Sequence, residues 1–381
     1  MNDKTTLYVG LPNFLFWQNK KGGRACSSQL HFPLDFFPPT NQQEHATSNN
    51  QKFSMETIQP NVPKYLQNFE VSKECNDLIS SLPKNRGWVV PIMYQYQGFW
   101  HHTWQLQGVL AFQKHFLAQD TDILLVTAPK SGTTWLKAIS FAIINRIQYP
   151  IASTDHPLLK NNSHVVVPFV EQVYADNSNP DFFETPPRLF ATHVPYVSLP
   201  ESIHNSKVKI VYMCRNPKDL FISAFHFTNK LRPEHMGTNS MEEMFDLFCK
   251  GVFLYGPYWD HVLGFWNESL KRPKEVLFLK YEEMKEQPTT QVRKLAEFYG
   301  CPFTLEEEKE GIVDAILGLC SFESLSNMEV NKKGYLPTGE MKQAYFRKGE
   351  VGDWKNHLTA EMAEKLDLIT ECKFQGSGLK F

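Results

Sequence analysis

An α/β fold, with a central parallel sheet flanked by helices, is predicted by three observations. Short apolar runs of strand length recur at Ile123–Thr127, Lys209–Cys214 and Val276–Leu279. Stretches of helical period alternate with them, which is the order of a parallel sheet covered on both faces. A loop of small and hydroxylated residues, Ala128–Gly132, joins the first strand to the helix that follows it.

The elements follow in chain order. Residues 1–60 are rich in Gly, Pro, Asn, Gln and Ser and show no period, so a disordered extension is expected, with a transit peptide as the alternative. A single domain is expected over residues 70–381, with no internal repeat. Tyr94–Trp104 is dense in aromatic residues and reads as a strand and turn. After the strand at Ile123, residues Trp135, Leu136, Ile139, Ile143 and Ile147 lie near helical spacing, and Pro150 ends the pattern. The Lys209–Cys214 strand leads into a helix over Asp219–Leu231, stopped before Pro233. The third strand precedes a helix over Thr290–Tyr299, closed by Gly300. A last helix is predicted over Leu358–Lys373, with Thr359 as its cap.

Composition narrows the function. The 381 residues are 42% hydrophobic and 21% charged, which is globular. Net charge is -2, from 39 basic against 41 acidic residues. Such a balance gives no global pull toward nucleic acid or an anionic membrane, so neither partner is expected. No apolar run approaches the roughly 18 residues of a membrane span. The seven cysteines form no CxxC pair, which disfavours a disulfide framework or a zinc site and suits the reducing cytoplasm.

The loop Thr127–Trp135 carries the chemistry. A helix N-terminus has unpaired N–H groups and partial positive charge, and small residues let an anion approach. Set against the Walker pattern, Gly132 aligns, Thr127 stands at the first Gly, Thr133 replaces the Lys and Thr134 keeps the metal-binding hydroxyl. The Lys has moved to position 130. The loop is thus P-loop-like, but the nucleoside-triphosphatase arrangement is broken. Two further segments suit phosphate: Arg215–Asp219 with Ser223 following in the helix, and the Gly-punctuated Arg347–Lys355. Three such segments in a near-neutral chain imply one ligand with phosphates at two places.

PKSGTTWLKA, RNPKD with Ser223, and RKGEVGDWK together resemble the cytosolic sulfotransferase family, its plant branch in particular, over roughly residues 70–381. The resemblance implies the sulfate donor 3'-phosphoadenosine-5'-phosphosulfate as cosubstrate. It implies that Lys130, Ser131, Gly132, Thr133, Thr134 and Trp135 hold the phosphosulfate end, with Trp135 also stacking on adenine. Arg215, Ser223, Arg347, Lys348 and Gly349 would take the 3'-phosphate, and Tyr281 and Phe322 would pack at the purine. His193, in Thr192-His193-Val194-Pro195, matches the family's general base. Lys130 would stabilise the leaving oxygen. No Mg²⁺ is expected, because a sulfonate carries less charge than a terminal phosphate. Ala191 stands where mammalian members have Lys, which places more weight on Lys130. The animal dimer segment is matched at Lys355, Thr359 and Glu364 but has Ala360 for Val, so a monomer or a weak homodimer is expected.

For the acceptor, Phe99, Trp100 and Phe169 are candidate pocket walls. The family's acceptors are small hydroxylated metabolites such as flavonols, hydroxyjasmonate or brassinosteroids. The competing readings are a P-loop kinase and a non-catalytic nucleotide-binding relative. The displaced Lys argues against the first, and intact Lys130, Ser223 and His193 against the second.

Overall fold

The computed structural model describes residues 62–67, 69–176 and 187–381. The predicted extension over residues 1–60 lies outside them. After a helix over Lys73–Ser81, three antiparallel strands follow: β1 (Lys84–Arg86), β2 (Ile92–Tyr96) and β3 (Phe99–His101). The turn between β2 and β3 holds Gln97 and Gly98 at φ 49° and 87°. Positive φ at both central residues is the hairpin turn whose twist matches its strands, and Gly98 adopts it without strain. Helix α1 (Thr103–His115) follows.

The main sheet has four parallel strands: β4 (Ile123–Thr127), β5 (Leu189–Thr192), β6 (Lys209–Cys214) and β7 (Val276–Lys280), in the order β5-β4-β6-β7. Its strands alternate in the side chains they send to each face. Leu124, Val126, Ile210 and Tyr212 enter one buried cluster, while Ile123, Leu125, Val211 and Met213 enter the other. Helix α2 (Thr133–Asn145) covers the second face and supplies Leu136, Ile139 and Ile143 to it. Ile147 lies past the helix end and is exposed, contrary to the predicted period, because the helical pattern gives way to turns after Asn145.

Two short helices, α3 (Ser163–Val166) and α4 (Val170–Ala175), lead toward β5. Helix α5 (Pro217–Leu231) starts two residues before the predicted Asp219, since the Asn216 side chain caps it and Pro217 suits its first turn. Helix α6 (Tyr258–Lys271) packs on β7 and on the last helix. Two helices, α7 (Tyr281–Glu286) and α8 (Pro288–Tyr299), follow β7 directly, and α9 (Phe322–Asn327) comes later. The final helix, α10 (Ala360–Phe374), has Thr359 as its cap, as predicted. Lys355, Thr359 and Glu364 are exposed.

This strand order places a site. The chain leaves β4 for β5 on one side and reaches β6 on the other, so a crevice opens at the carboxyl end of β4. Lys130, His193, Arg215 and Tyr281 all lie within three residues of the carboxyl ends of their strands.

Candidate active site

A cavity of about 390 Å³ opens at those strand ends. Lys130, Gly132, Thr133, Thr134, Trp135, His193, Arg215, Ser223, Tyr281, Phe322, Arg347, Lys348, Gly349 and Phe169 all line it. Ser131 does not. Its side chain is fully buried, and its Oγ has no hydrogen-bond partner among the described residues. Any contact with a ligand through Ser131 would have to come from its backbone.

Phe99 and Trp100 also stand away from the cavity, which corrects the expectation for both. Strand β3 turns them into the interior, where Phe99 meets the His261 ring edge-on and Trp100 joins the main apolar cluster. The apolar wall of the cavity is built instead from Trp88, Val89, Met93, Phe169, Phe253 and Tyr255. Trp88 and Phe253 pack edge-to-face at 5.4 Å.

The phosphate loop is strained and tight. Lys130 sits at φ 72°, a left-handed conformation uncommon for a residue that carries a Cβ. Gly132 caps α2 at φ 101°, and a Cβ there would meet Tyr281 Cδ2 at 2.7 Å. The Thr127 and Thr133 hydroxyls are 2.6 Å apart. Gly349 has a matching constraint, since a Cβ would meet Phe322 Cδ2 at 2.5 Å.

Cations converge on the loop. Arg215 Nη2 donates to the Glu350 carbonyl at 2.7 Å, and its guanidinium lies over the Tyr281 ring at 4.5 Å. Tyr281 in turn donates to the Gly349 carbonyl at 3.0 Å. Asp219, buried at the start of α5, accepts from the backbone N–H groups of Gly352 and Trp354 and so ties the Arg347–Lys355 segment against α5. Lys130 Nζ lies 3.6 Å over the Phe227 ring. Burial pulls the Lys130 ammonium down to about 7, helped by the like charges of Arg215, Arg347 and Lys230. A cluster of cations that depresses its own central lysine is built to receive an anion.

His193 follows β5, whose Leu-Phe-Ala-Thr run has no Val or Ile to mark it in the sequence. Its Nδ1 lies 2.6 Å from the Thr127 carbonyl. A carbonyl only accepts, so Nδ1 carries the proton and Nε2 keeps a lone pair. Burial pulls the imidazole down to about 3 against the raising effect of that carbonyl, and Lys137, His261 and Lys130 add to the lowering. The backbone at His193 is held on both sides. Its N–H donates to Glu171 Oε1 at 3.0 Å, and its carbonyl accepts from His261 Nε2 at 2.9 Å. Glu171 also accepts from the Tyr255 hydroxyl at 3.3 Å, and burial raises its carboxyl.

Sequence reasoning did not find Glu171, His261, Lys137 or His164. Lys137 is fully buried on α2, and its Nζ lies 3.1 Å from His164 Nδ1. The one available signal was a lysine directly beside the apolar stripe of α2. Among the described residues, no group of three His, Cys, Asp or Glu side chains is placed to hold a metal ion. None of their helices is long and apolar enough to cross a membrane.

Fold and site together place a cation-lined cavity and a buried imidazole at the carboxyl ends of a parallel sheet. Comparison with known proteins makes the class particular. The sulfotransferase domain profile matches residues 120–378. Cytosolic sulfotransferase 12 of Arabidopsis thaliana is 51% identical over 322 residues, covering 84% of this chain and 98% of that protein. The crystal structure of a candidate steroid sulphotransferase of Arabidopsis thaliana is 43% identical, with a TM-score of 0.65 over 82% of this chain and 99% of that one. Mouse sulfotransferase SULT7A1, solved with PAP, is 28% identical, with a TM-score of 0.59 over 75% of this chain and 96% of that one. The chain belongs to the plant cytosolic sulfotransferase family, and its activity is sulfonate transfer.

Proposed function

We propose that the protein moves a sulfonate group from 3'-phosphoadenosine-5'-phosphosulfate to a hydroxyl of a small apolar-bodied metabolite. The observation that carries this reading is a base and a cation set in one cavity. His193 has Nδ1 committed to the Thr127 carbonyl, and Lys130 with its neighbouring cations lines the same space. The residues fit the donor on physical grounds: Lys130 and Arg215 pair with no carboxylate among the described residues, a glycine at the start of α2 has no room for a side chain, and aromatic rings of Trp135, Tyr281 and Phe322 lie beside them.

The donor supplies an activated sulfonate on an anhydride to phosphate. His193 Nε2 takes the acceptor's hydroxyl proton as that oxygen turns nucleophilic. Lys130 stabilises the charge that builds on the bridging oxygen. Lys130, Gly132, Thr133, Thr134 and Trp135 hold the 5' end. Arg215, Ser223, Arg347, Lys348 and Gly349 hold the 3'-phosphate, and Tyr281 and Phe322 pack the purine. Phe169, with Trp88, Met93 and Phe253, forms the acceptor wall, which suits flat or ring-bearing alcohols such as flavonols, hydroxyjasmonate or brassinosteroids. The chemistry asks for no metal.

The test is transfer of labelled sulfonate to a panel of hydroxylated plant metabolites, with and without EDTA. Product from at least one alcohol, insensitive to EDTA and lost in His193→Ala, is expected. Full activity in His193→Ala would refute the assigned base.

A further inference from the structure

Lys137 is the largest charged side chain buried completely in the described residues, and the proposed mechanism leaves it unused. A lysine is almost never fully buried unless its polar head is paired. A methionine would fill the same space beside Leu136 and Ile139 without the desolvation cost. Burial draws the Lys137 ammonium well below its ordinary value, and the Glu171 carboxylate opposes this. Its Nζ lies 3.2 Å from the centre of the Phe169 ring, a cation–π contact, and 3.1 Å from His164 Nδ1. The other nitrogen of His164, Nε2, lies 3.0 Å from the Thr134 hydroxyl oxygen. Thr134 stands at the cavity end of α2, three residues before Lys137.

These contacts have a polarity. The Phe169 face favours the charged form of Lys137, which has only donors, so His164 Nδ1 accepts. The imidazole proton then sits on Nε2 and is donated to Thr134 Oγ1. With that oxygen already accepting, the hydroxyl hydrogen of Thr134 is free to turn into the cavity. We propose that Lys137 is a positioning residue that acts through His164 to fix the Thr134 hydroxyl as a donor toward the anionic oxygens of the bound phosphosulfate. The inference rests on the reading above in which Thr134 faces the 5' end of the nucleotide. It adds that the direction of this hydrogen bond is set from the helix interior.

The full-length enzyme with ¹⁵N-labelled histidine tests the polarity without turnover. NMR is expected to find His164 protonated on Nε2 alone, and a proton on Nδ1 overturns the proposal. Kinetics supply the second readout. Lys137→Met and His164→Leu are each expected to raise KM for 3'-phosphoadenosine-5'-phosphosulfate about tenfold, the scale of one hydrogen bond to a charged group. KM for the acceptor should stay as it was. His164→Gln, whose amide can accept from Lys137 and donate to Thr134, should recover most of the loss. In a Thr134→Val background, Lys137→Met should add nothing. A donor KM unchanged by Thr134→Val would sink the placement of Thr134 itself. An impaired Thr134→Val beside wild-type behaviour of His164→Leu would sink the relay alone. Should Lys137→Met fail to fold, the two His164 variants and the wild-type tautomer still decide the matter.

Discussion

The Nδ1 of His193 is held 2.6 Å from the carbonyl oxygen of Thr127, so the last residue of β4 sets the tautomer of the imidazole that follows β5. Burial keeps that imidazole neutral down to about pH 3. A group with a lowered pKa is unprotonated throughout the neutral range, although its intrinsic basicity falls with its pKa. The kcat/KM profile is therefore expected to lack an acidic limb near 6.5, where an unperturbed histidine would place one. His193→Ala should cost about 10²–10⁴-fold in kcat, the usual worth of a positioned base. An acidic limb centred near 6.5 that disappears in His193→Gln would contradict the buried, neutral imidazole.

Lys130 should govern the alkaline side. Its ammonium is drawn down to about 7 by burial and by Arg215, Arg347 and Lys230. The charged form attracts the nucleotide, and it is lost as pH rises through that value. Because kcat/KM reports the free enzyme, its value for the nucleotide should fall above about pH 7. Bound anions raise a lysine's pKa, so the same limb in kcat should move to higher pH. Lys130→Arg keeps its charge at every working pH and should flatten the limb, whatever it costs in rate. A limb that persists unchanged in Lys130→Arg would assign it to another group.

Gly132 tests the cradle. A methyl group there would lie 2.7 Å from Tyr281 Cδ2 and 2.8 Å from Met213 Cε, at a φ of 101°. Overpacking and backbone strain together predict a loss of about 2–4 kcal/mol for Gly132→Ala. Binding of 3',5'-ADP should weaken in the same variant, because Tyr281 and the start of α2 must part. Calorimetry measures both, and wild-type values for Tm and affinity would refute the close approach.

Much of this arrangement was legible in the sequence where the signal was local. Strand β6 is bounded as its apolar run predicts, and Thr359 caps α10 as its position suggests. The loop residues are contiguous, so their common place at one helix end could be read directly. Strand β5 escaped because its Leu-Phe-Ala-Thr run carries no Val or Ile to mark it as a strand. Glu171, His164 and Lys137 escaped for a different reason. Periodicity ranks positions by hydrophobicity, and a polar side chain on a buried face is invisible until its partners, distant in sequence, are in place. Phe99 and Trp100 show the converse error, since a run of aromatic rings looks the same whether it faces a ligand or the interior.

That correction has its own outcome. Trp100 is packed in the main cluster, and the backbone beside it is bonded to Gly256 and Tyr255. Trp100→Ala should cost about 3–5 kcal/mol in unfolding free energy and leave the ranking of acceptors unchanged in whatever enzyme remains folded. Phe169 instead lines the cavity, 4.5 Å from the His193 ring. Phe169→Ala should reorder acceptors of different ring size by kcat/KM. An acceptor ranking moved by Trp100→Ala and not by Phe169→Ala would restore the original reading of β3.

Asp353 ties the second anion segment together before any nucleotide arrives. Its carboxylate has no exposed surface, with Arg347 Nη1 at 2.5 Å and Lys348 Nζ at 2.6 Å. Burial alone would raise its pKa, but hydrogen bonds from Lys348 and Arg347 overcome that and hold it below the ordinary aspartate value. A carboxyl depressed in the folded state contributes stability that is complete above its unfolded pKa, near 4, and fades as pH falls through the folded value. Removing one member of a buried ion pair typically costs about 3–5 kcal/mol. Lys348 is 42% exposed, so solvent screens part of its share and about 3 kcal/mol is expected for Asp353→Asn at pH 7. Urea unfolding should show the gap between variant and wild type narrowing below about pH 4, where the Asp353 carboxylate of the unfolded chain takes up its proton while the folded one stays ionised. Equal stability of the two proteins at pH 7 would mean that Arg347 and Lys348 are held by the fold around them and not by this carboxylate.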